Sequence, residues 1–173
     1  MATLDEFQQS PLRQALANRV LTRPILAINA GGAATVATTN AIVYTIDGLI
    51  LNKAALSAQA LTVNATLQQK LTFQSAFYAQ PANTTVYYTL VMNAAGTVSC
   101  LQGQYTGQPF AGASVPVGVT AIPDPDDLTF IPFGGIKIVL GATTFTPGTT
   151  VLDAANVTAT YRDYAGVIPA TLW

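Results

Sequence analysis

Histidine is absent from the 173 residues. With it go the commonest general base, the usual third member of a nucleophilic triad and the commonest metal ligand. The single cysteine, Cys100, can enter neither an intrachain disulfide nor a cysteine metal cluster, and its place in an apolar strand pattern reads as a buried, inert thiol. Carboxylates remain, and they gather at one place only. Asp124, Asp126 and Asp127 stand in Pro-Asp-Pro-Asp-Asp, where neighbouring oxygens on a loop can hold a hard cation such as Ca²⁺. The same letters spell a turn in which Asp side chains bond their own backbone, and no later bidentate Glu completes a calcium loop. The solvated turn is therefore the preferred reading, and no cofactor is expected. Tyr44, Tyr87, Tyr88, Tyr105, Tyr161 and Tyr164 can be read as a carbohydrate platform, but tyrosines at alternate strand positions more commonly pack a core or a sheet face. No Gly-rich loop leads from a strand into a helix, so a nucleotide site is not expected. Nothing in this inventory reads as a catalyst, and the expectation is that the chain is not an enzyme.

The elements that would position these residues are strands. Ile136, Ile138 and Leu140 alternate with Lys137, Val139 and Gly141, the period of a pleated strand with one face buried. Val157, Ala159 and Tyr161 alternate in the same way with Thr158, Thr160 and Arg162. Between them Phe145-Thr-Pro-Gly predicts a type II turn, since Pro sets φ at its second position and Gly accepts positive φ at its third. Ala41 to Leu51 reads as a hairpin around Asp47-Gly48. Thr84 to Met92 reads as a central strand, apolar on both faces, and Asn93-Ala-Ala-Gly96 turns it back into Thr97 to Leu101. Leu71 to Tyr78 is expected to be a further strand, ended by the Gln80-Pro-Ala-Asn83 turn. Ala27 to Ala34 reads as a loop around Gly31-Gly32, and Lys53 to Gln69 stays open between helix and strand. Gly103 to Pro116, rich in Gly and Pro, is expected to be a long irregular connection. The Asn-X-Thr triplets at Asn64, Asn83 and Asn156 read as coincidences of an Asn/Thr-rich chain.

The N-terminal stretch differs in kind. Thr3-Leu-Asp-Glu6 fits a capping box, Ser10-Pro11 repeats the start signal, and Leu12, Leu16 and Val20 recur at a spacing of four. Arg23-Pro24 ends the pattern, because a residue before Pro is pushed out of the α region. The expected organisation is a helical arm over 1–24 and, over 25–173, an antiparallel β-sandwich or open barrel of jelly-roll-like type. Both a helix packed on its own domain and an arm docked on a neighbour stay open. The candidate partner contacts are Leu4, Phe7, Leu12, Leu16 and Val20 of the arm, with Tyr105 and Phe110 of the long connection.

Half the residues are hydrophobic, yet only 9% are charged, and the net charge is −1. An average chain carries about 25% charged residues, so this exterior is unusually bland, and such a surface is expected to be covered by partner chains. No basic cluster gives the footprint of a nucleic-acid binder. No apolar run approaches the roughly 18 residues of a membrane span. Asp5 and Glu6 stand where a signal peptide would carry basic residues, so the chain is expected to be made, and to stay, in the cytoplasm unless it leaves inside a particle.

Tyr44-Thr-Ile-Asp-Gly, Tyr87-Tyr-Thr-Leu-Val-Met-Asn-Ala-Ala-Gly-Thr-Val, Phe130-Ile-Pro-Phe-Gly-Gly-Ile-Lys-Ile and Phe145-Thr-Pro-Gly-Thr-Thr-Val-Leu-Asp-Ala-Ala-Asn-Val-Thr-Ala-Thr-Tyr, closed by Ile168-Pro-Ala, form a succession. In that phrasing the chain resembles small structural proteins of tailed bacteriophages, over roughly Ile42 to Pro169. Within that group it is similar to capsid cement or decoration proteins. The resemblance implies a virion protein made in the host cytoplasm and placed on the head surface. It implies binding to the major capsid protein, stabilisation of the shell and a homo-oligomer, with a trimer favoured. It brings no catalytic residues, and the arm falls outside it. Two alternatives stay beside it: a receptor- or glycan-binding module of a tail fibre or spike, and a structural subunit of tail or neck.

Overall fold

Turn chemistry cuts this chain into hairpins, and the computed structural model, which describes residues 18–72, 76–105, 109–110, 113–114 and 129–165, is mainly β. In chain order the elements are β1 (Arg19–Val20), β2 (Leu26–Ile28), β3 (Thr35–Thr38), β4 (Ile42–Ile46), β5 (Leu49–Lys53), β6 (Gln59–Ala60), α1 (Ala65–Thr72), β7 (Thr85–Asn93), β8 (Val98–Gln102), β9 (Pro109–Phe110), β10 (Ala113–Ser114), β11 (Phe130–Leu140) and β12 (Val157–Asp163). A four-stranded sheet has the order β12-β11-β7-β8, and two three-stranded sheets run β1-β4-β5 and β2-β3-β6. The short strands β9 and β10 pair with each other. Every pairing between named strands is antiparallel.

The expected turns form. Asp47 and Gly48, at φ 51 and 77, join β4 to β5 with both central residues at positive φ, the conformation that matches the twist of a two-residue hairpin. Gly96 N donates to Asn93 O at 2.9 Å and closes the turn between β7 and β8. Thr149 N donates to Thr146 O at 3.1 Å across Pro147-Gly148, with Gly148 at φ 75, as a type II turn requires.

One core draws on all three large sheets. Val86, Tyr88, Leu90 and Met92 of β7, Ile136, Ile138 and Leu140 of β11, Ile42, Tyr44 and Ile46 of β4, Leu26 of β2 and Val36 of β3 share one buried cluster. The central position of β7 follows from having two apolar faces, because Leu67 of α1 packs with Val91 and Leu101 on the opposite side of the sheet. Gly134 of β11 is where β2 comes closest. A Cβ there would lie 2.9 Å from Leu26 Cδ2 and 3.1 Å from Arg162 O, so only glycine lets β2 lie against the large sheet.

Four expectations need correction. Val20, expected in the helix of the arm, lies instead in β1, pairs with Tyr44 and is 2% exposed. Residues 18–24 are thus already part of the β body, although the boundary was expected after Pro24, while residues 1–17 lie outside the described residues. At the described residues of Leu71 to Tyr78 the expected strand does not form: α1 runs through Thr72, and residues 76–78 lie in no strand. Asn64 starts that helix, its Oδ1 accepting from Leu67 N at 3.1 Å, and the Ala, Leu, Gln and Lys residues that follow are good helix formers. Part of the loop expected over Ala27 to Ala34 is strand, since Ala27 and Ile28 pair with Ala37 and Val36. The connection Gly103 to Pro116 holds the small β9-β10 hairpin.

Candidate functional site

The fold places the cysteine and most of the tyrosines singled out for chemistry, but not the acidic cluster. Asp124, Asp126 and Asp127 lie outside the described residues, and among the described residues no group of three His, Cys, Asp or Glu side chains gathers to hold a metal. Cys100 is fully buried in β8 and burial pushes its thiol pKa up, which removes the thiolate needed for reaction. Tyr44, Tyr88, Tyr105 and Tyr164 are buried. Burial raises the Tyr88 phenol pKa and, by lesser desolvation, those of Tyr44 and Tyr105. Tyr161 is pushed up to about 12, chiefly by burial and then by the negative charge of Asp153. Tyr44, Tyr88 and Tyr105 are packing groups with hydrogen-bonded tips, donating to Asn93 O at 3.2 Å, Gln80 Oε1 at 3.3 Å and Ala79 O at 3.4 Å.

Of the candidate partner contacts, Leu4, Phe7, Leu12 and Leu16 lie outside the described residues. Val20 and Tyr105 are 2% and 6% exposed. They belong to the chain's own core, so neither is a surface contact. Phe110 is in β9, opposite Ala113. The Asn-X-Thr triplets have local roles: Asn64 caps α1, and Asn83 and Asn156 take φ 59 and 65, which Asn tolerates in turns.

Sequence reasoning missed a buried polar network. Gln102 Oε1 accepts from Tyr78 N at 2.7 Å, and its Nε2 donates to Tyr78 O at 2.8 Å and to Tyr88 Oη at 3.2 Å. Gln68 treats the backbone of Gln102 in the same way, with bonds of 2.8 and 3.0 Å. Gln80 Nε2 donates to Thr84 O and Ile138 O. Amides carry no titratable proton at ordinary pH, so this network holds segments together and moves no charge.

A second missed feature is the clamp on the segment entering β2. Asp163 accepts from Leu26 N and from Arg23 Nε, both at 2.9 Å. Ile25 takes φ 57, a conformation costly for a β-branched residue. Thr39 N to Ile25 O at 3.2 Å and Asn40 N to Pro24 O at 3.0 Å hold it there. The signal in the sequence was the pair Arg23-Pro24, read as a helix stop.

The described residues present two surfaces outward. On the outer face of the four-stranded sheet Val139 lies opposite Thr85 and Thr158, and Lys137 opposite Tyr87 and Thr160. The Lys137 ammonium stands 5.9 Å from the centre of the Tyr87 ring, so part of its charge is spread over an aromatic face. At one end of the molecule the β4-β5 and β7-β8 turns, with Thr129 and Phe130, line a shallow hollow of about 280 Å³ in which Asp47 is the one ionisable side chain. Beside it Leu49 and Ile50 are 63% and 67% exposed, the most exposed large apolar side chains among the described residues. Among the described residues no helix is long and apolar enough to cross a membrane. Comparison with protein-family models, with curated proteins and with solved structures found no match.

Proposed function

We propose that this chain is a virion structural protein, a cement or decoration protein of a tailed-bacteriophage head that binds the major capsid protein and stabilises the shell, and that it catalyses no reaction. The observation that supports this reading is the sparsely charged outer face of the four-stranded sheet, rich in Thr and Val. There Val139, Thr85, Thr158, Thr160 and Tyr87 lie around the Lys137 ammonium, with Arg162 the second charge of the face. Covering such a face gains about 25 cal/mol per Å² of apolar area while desolvating few charges, the term that makes a charged interface costly. The likeness in strand-and-turn phrasing over Ile42 to Pro169 supports the same reading. The sheets are read here as a β-sandwich, the four-stranded sheet facing the two smaller ones across the shared core. The protein assembles as a homo-oligomer on the head surface after synthesis in the host cytoplasm, and requires neither nucleic acid nor membrane.

The alternative of a glycan-binding fibre module draws no support from the described tyrosines, four of which are buried. Co-sedimentation with empty capsids tests the proposal. The full chain should pellet with shells at a saturable stoichiometry, and Val139→Glu, which puts a charge on the exposed face of the inner strand β11, should reduce the bound fraction at least about tenfold. Removal of residues 1–17 tests the arm separately, since residues 18–24 belong to the β body. Protein that stays in the supernatant, or that label places on tails in electron micrographs, would overturn the reading.

A further inference from the structure

The edges of the four-stranded sheet and of the β1-β4-β5 sheet end differently. The outer edge of β8 is occupied, since Cys100 N donates to Thr62 O at 2.7 Å and the Gln68 amide pairs with the backbone of Gln102. Along β12 the exposed side chains are Thr158, Thr160 and Arg162, polar groups of the kind that discourage further pairing. The edge strand β5 has neither protection. Leu49 and Ile50 are exposed, Leu51 is half-buried and Lys53 is the strand's one charge.

The backbone of β5 is open as well. Val43 O accepts from Leu21 N at 2.8 Å, so Val43 points toward β1 and away from β5. In an antiparallel ladder its opposite residue, Asn52, then points away from β4, and by the same alternation so does Ile50. Among the described residues no partner takes the amides and carbonyls of Ile50 and Asn52.

We propose that β5 pairs antiparallel with β5 of a second copy about a two-fold axis at Ile50, joining two three-stranded sheets into one continuous sheet. Charge selects this occupant and this direction. The charged residues at the two ends of the strand are Asp47 and Lys53, of opposite sign, and the structure gives neither an ion-pair partner. Antiparallel pairing centred on Ile50 sets Asp47 of each copy beside Lys53 of the other, twice, whereas parallel pairing would set like charges together. In that register Ile50 faces Ile50, Leu49 faces Leu51, and Asn52 bonds across to Gly48. The outward-pointing groups of Ile50 and Asn52 are the ones that meet. An exposed ion pair adds at most about 1 kcal/mol, so the charges fix direction and register while apolar contact supplies the attraction. One short strand covers less than the roughly 1,200–2,000 Å² of a standard interface, so the dimer dissociates in the micromolar range. The contact is isologous; it makes a dimer rather than the trimer suggested by the phage likeness, and it is independent of shell binding.

Sedimentation velocity of the full chain from about 1 to about 100 µM brackets the range in which so small an interface dissociates. The expected result is a reversible monomer–dimer equilibrium that Ile50→Lys weakens at least about tenfold and that Lys53→Glu weakens in low salt. Asn52→Pro removes an outward N–H without touching the β4-β5 ladder and should act like Ile50→Lys. Hydrogen exchange on the unsubstituted chain requires no variant to fold: the Ile50 and Asn52 amides should exchange more slowly as concentration rises. A monomer throughout, a trimer as the sole oligomer, or exchange at both amides that ignores concentration would overturn the pairing. A chain that dimerises but fails to pellet with capsids overturns the shell reading alone.

Discussion

Replacing Gln102 by Leu is the sharpest test of how this fold is held together. The side chain is fully buried and makes three hydrogen bonds, two to the backbone of Tyr78 at 2.7 and 2.8 Å and one to Tyr88 Oη at 3.2 Å. Leucine fills similar space, so no large cavity opens, and the backbone of Gln102 keeps its bonds to Gln68. What changes is that the N–H and C=O of Tyr78 lose their partner. A buried group stranded in this way costs about 1–3 kcal/mol. Tyr78 is only half-buried, so water recovers part of each term, and the expected loss is about 2–4 kcal/mol. In a chain of this size that corresponds to a fall in Tm of roughly 5–15 °C. Urea unfolding measures it, with an unchanged slope certifying that the denatured state is the same. Hydrogen exchange supplies the local readout, because the Tyr78 amide should lose protection while β7 keeps its own. A loss below about 1 kcal/mol, less than one net hydrogen bond, or a Tyr78 amide as slow as before, would refute the role given to this network.

Gly134→Ala should cost about 1–3 kcal/mol, the range for overpacking a filled core, because the added methyl meets Leu26 Cδ2 and the immobile Arg162 carbonyl. A thermal melt within experimental error of the unsubstituted chain would show that β2 can yield there. Alkaline titration tests the buried phenols. Between pH 10 and about 12 an unfolded chain releases the Tyr161 proton while the folded chain keeps it. Fewer protons are then bound unfolded than folded, so stability falls as pH rises through that window. Tyr161→Phe should flatten its share of the fall, and an identical pH profile would contradict the assigned burial.

Where a residue type dictates backbone geometry, the sequence was informative. Asp47-Gly48, Asn93 to Gly96 and Pro147-Gly148 each favour one kind of turn, and each occurs where expected. The alternation in β11 and β12 was legible because one face is buried and the other is not. The start of β11 was not, since Pro132 and Gly134 look like strand breakers. Pro132 pairs with Val91, but β12 joins β11 only from Gly134 onward, so proline sits where the strand has a single neighbour and its missing N–H costs nothing. The helix at Ala65–Thr72 was only half legible: the letters up to Gln69 fit helix or strand, and what decides for helix is the Asn64 side chain, which caps the Leu67 amide. Glutamines, polar by type, gave no hint of burial at Gln68, Gln80 and Gln102, because an amide enters a core only when tertiary partners meet all its bonds.

The surfaces follow the same logic. A catalytic centre declares itself in sequence through rare, reactive residue types, but an interface built from Val, Thr and Leu uses the letters that also build strands, and no count of those letters separates the two. Pairing order is what separates them. Leu49 and Ile50 read, in sequence, as the second half of an ordinary hairpin. Only the fact that β1 takes the other side of β4 and, among the described residues, nothing takes the far side of β5 turns the same residues into an open edge. An open edge that is apolar, short of charge and bounded by one acid and one base is poorly defended against its own copy, and a chain with so few charges elsewhere has little repulsion to keep two copies apart. The proposed dimerisation at β5 and a sparsely charged sheet face are therefore two consequences of one property of this chain, its scarcity of charge. Added charge at Ile50 should act on the first and leave the second, on the outer face of the other sheet, unaltered.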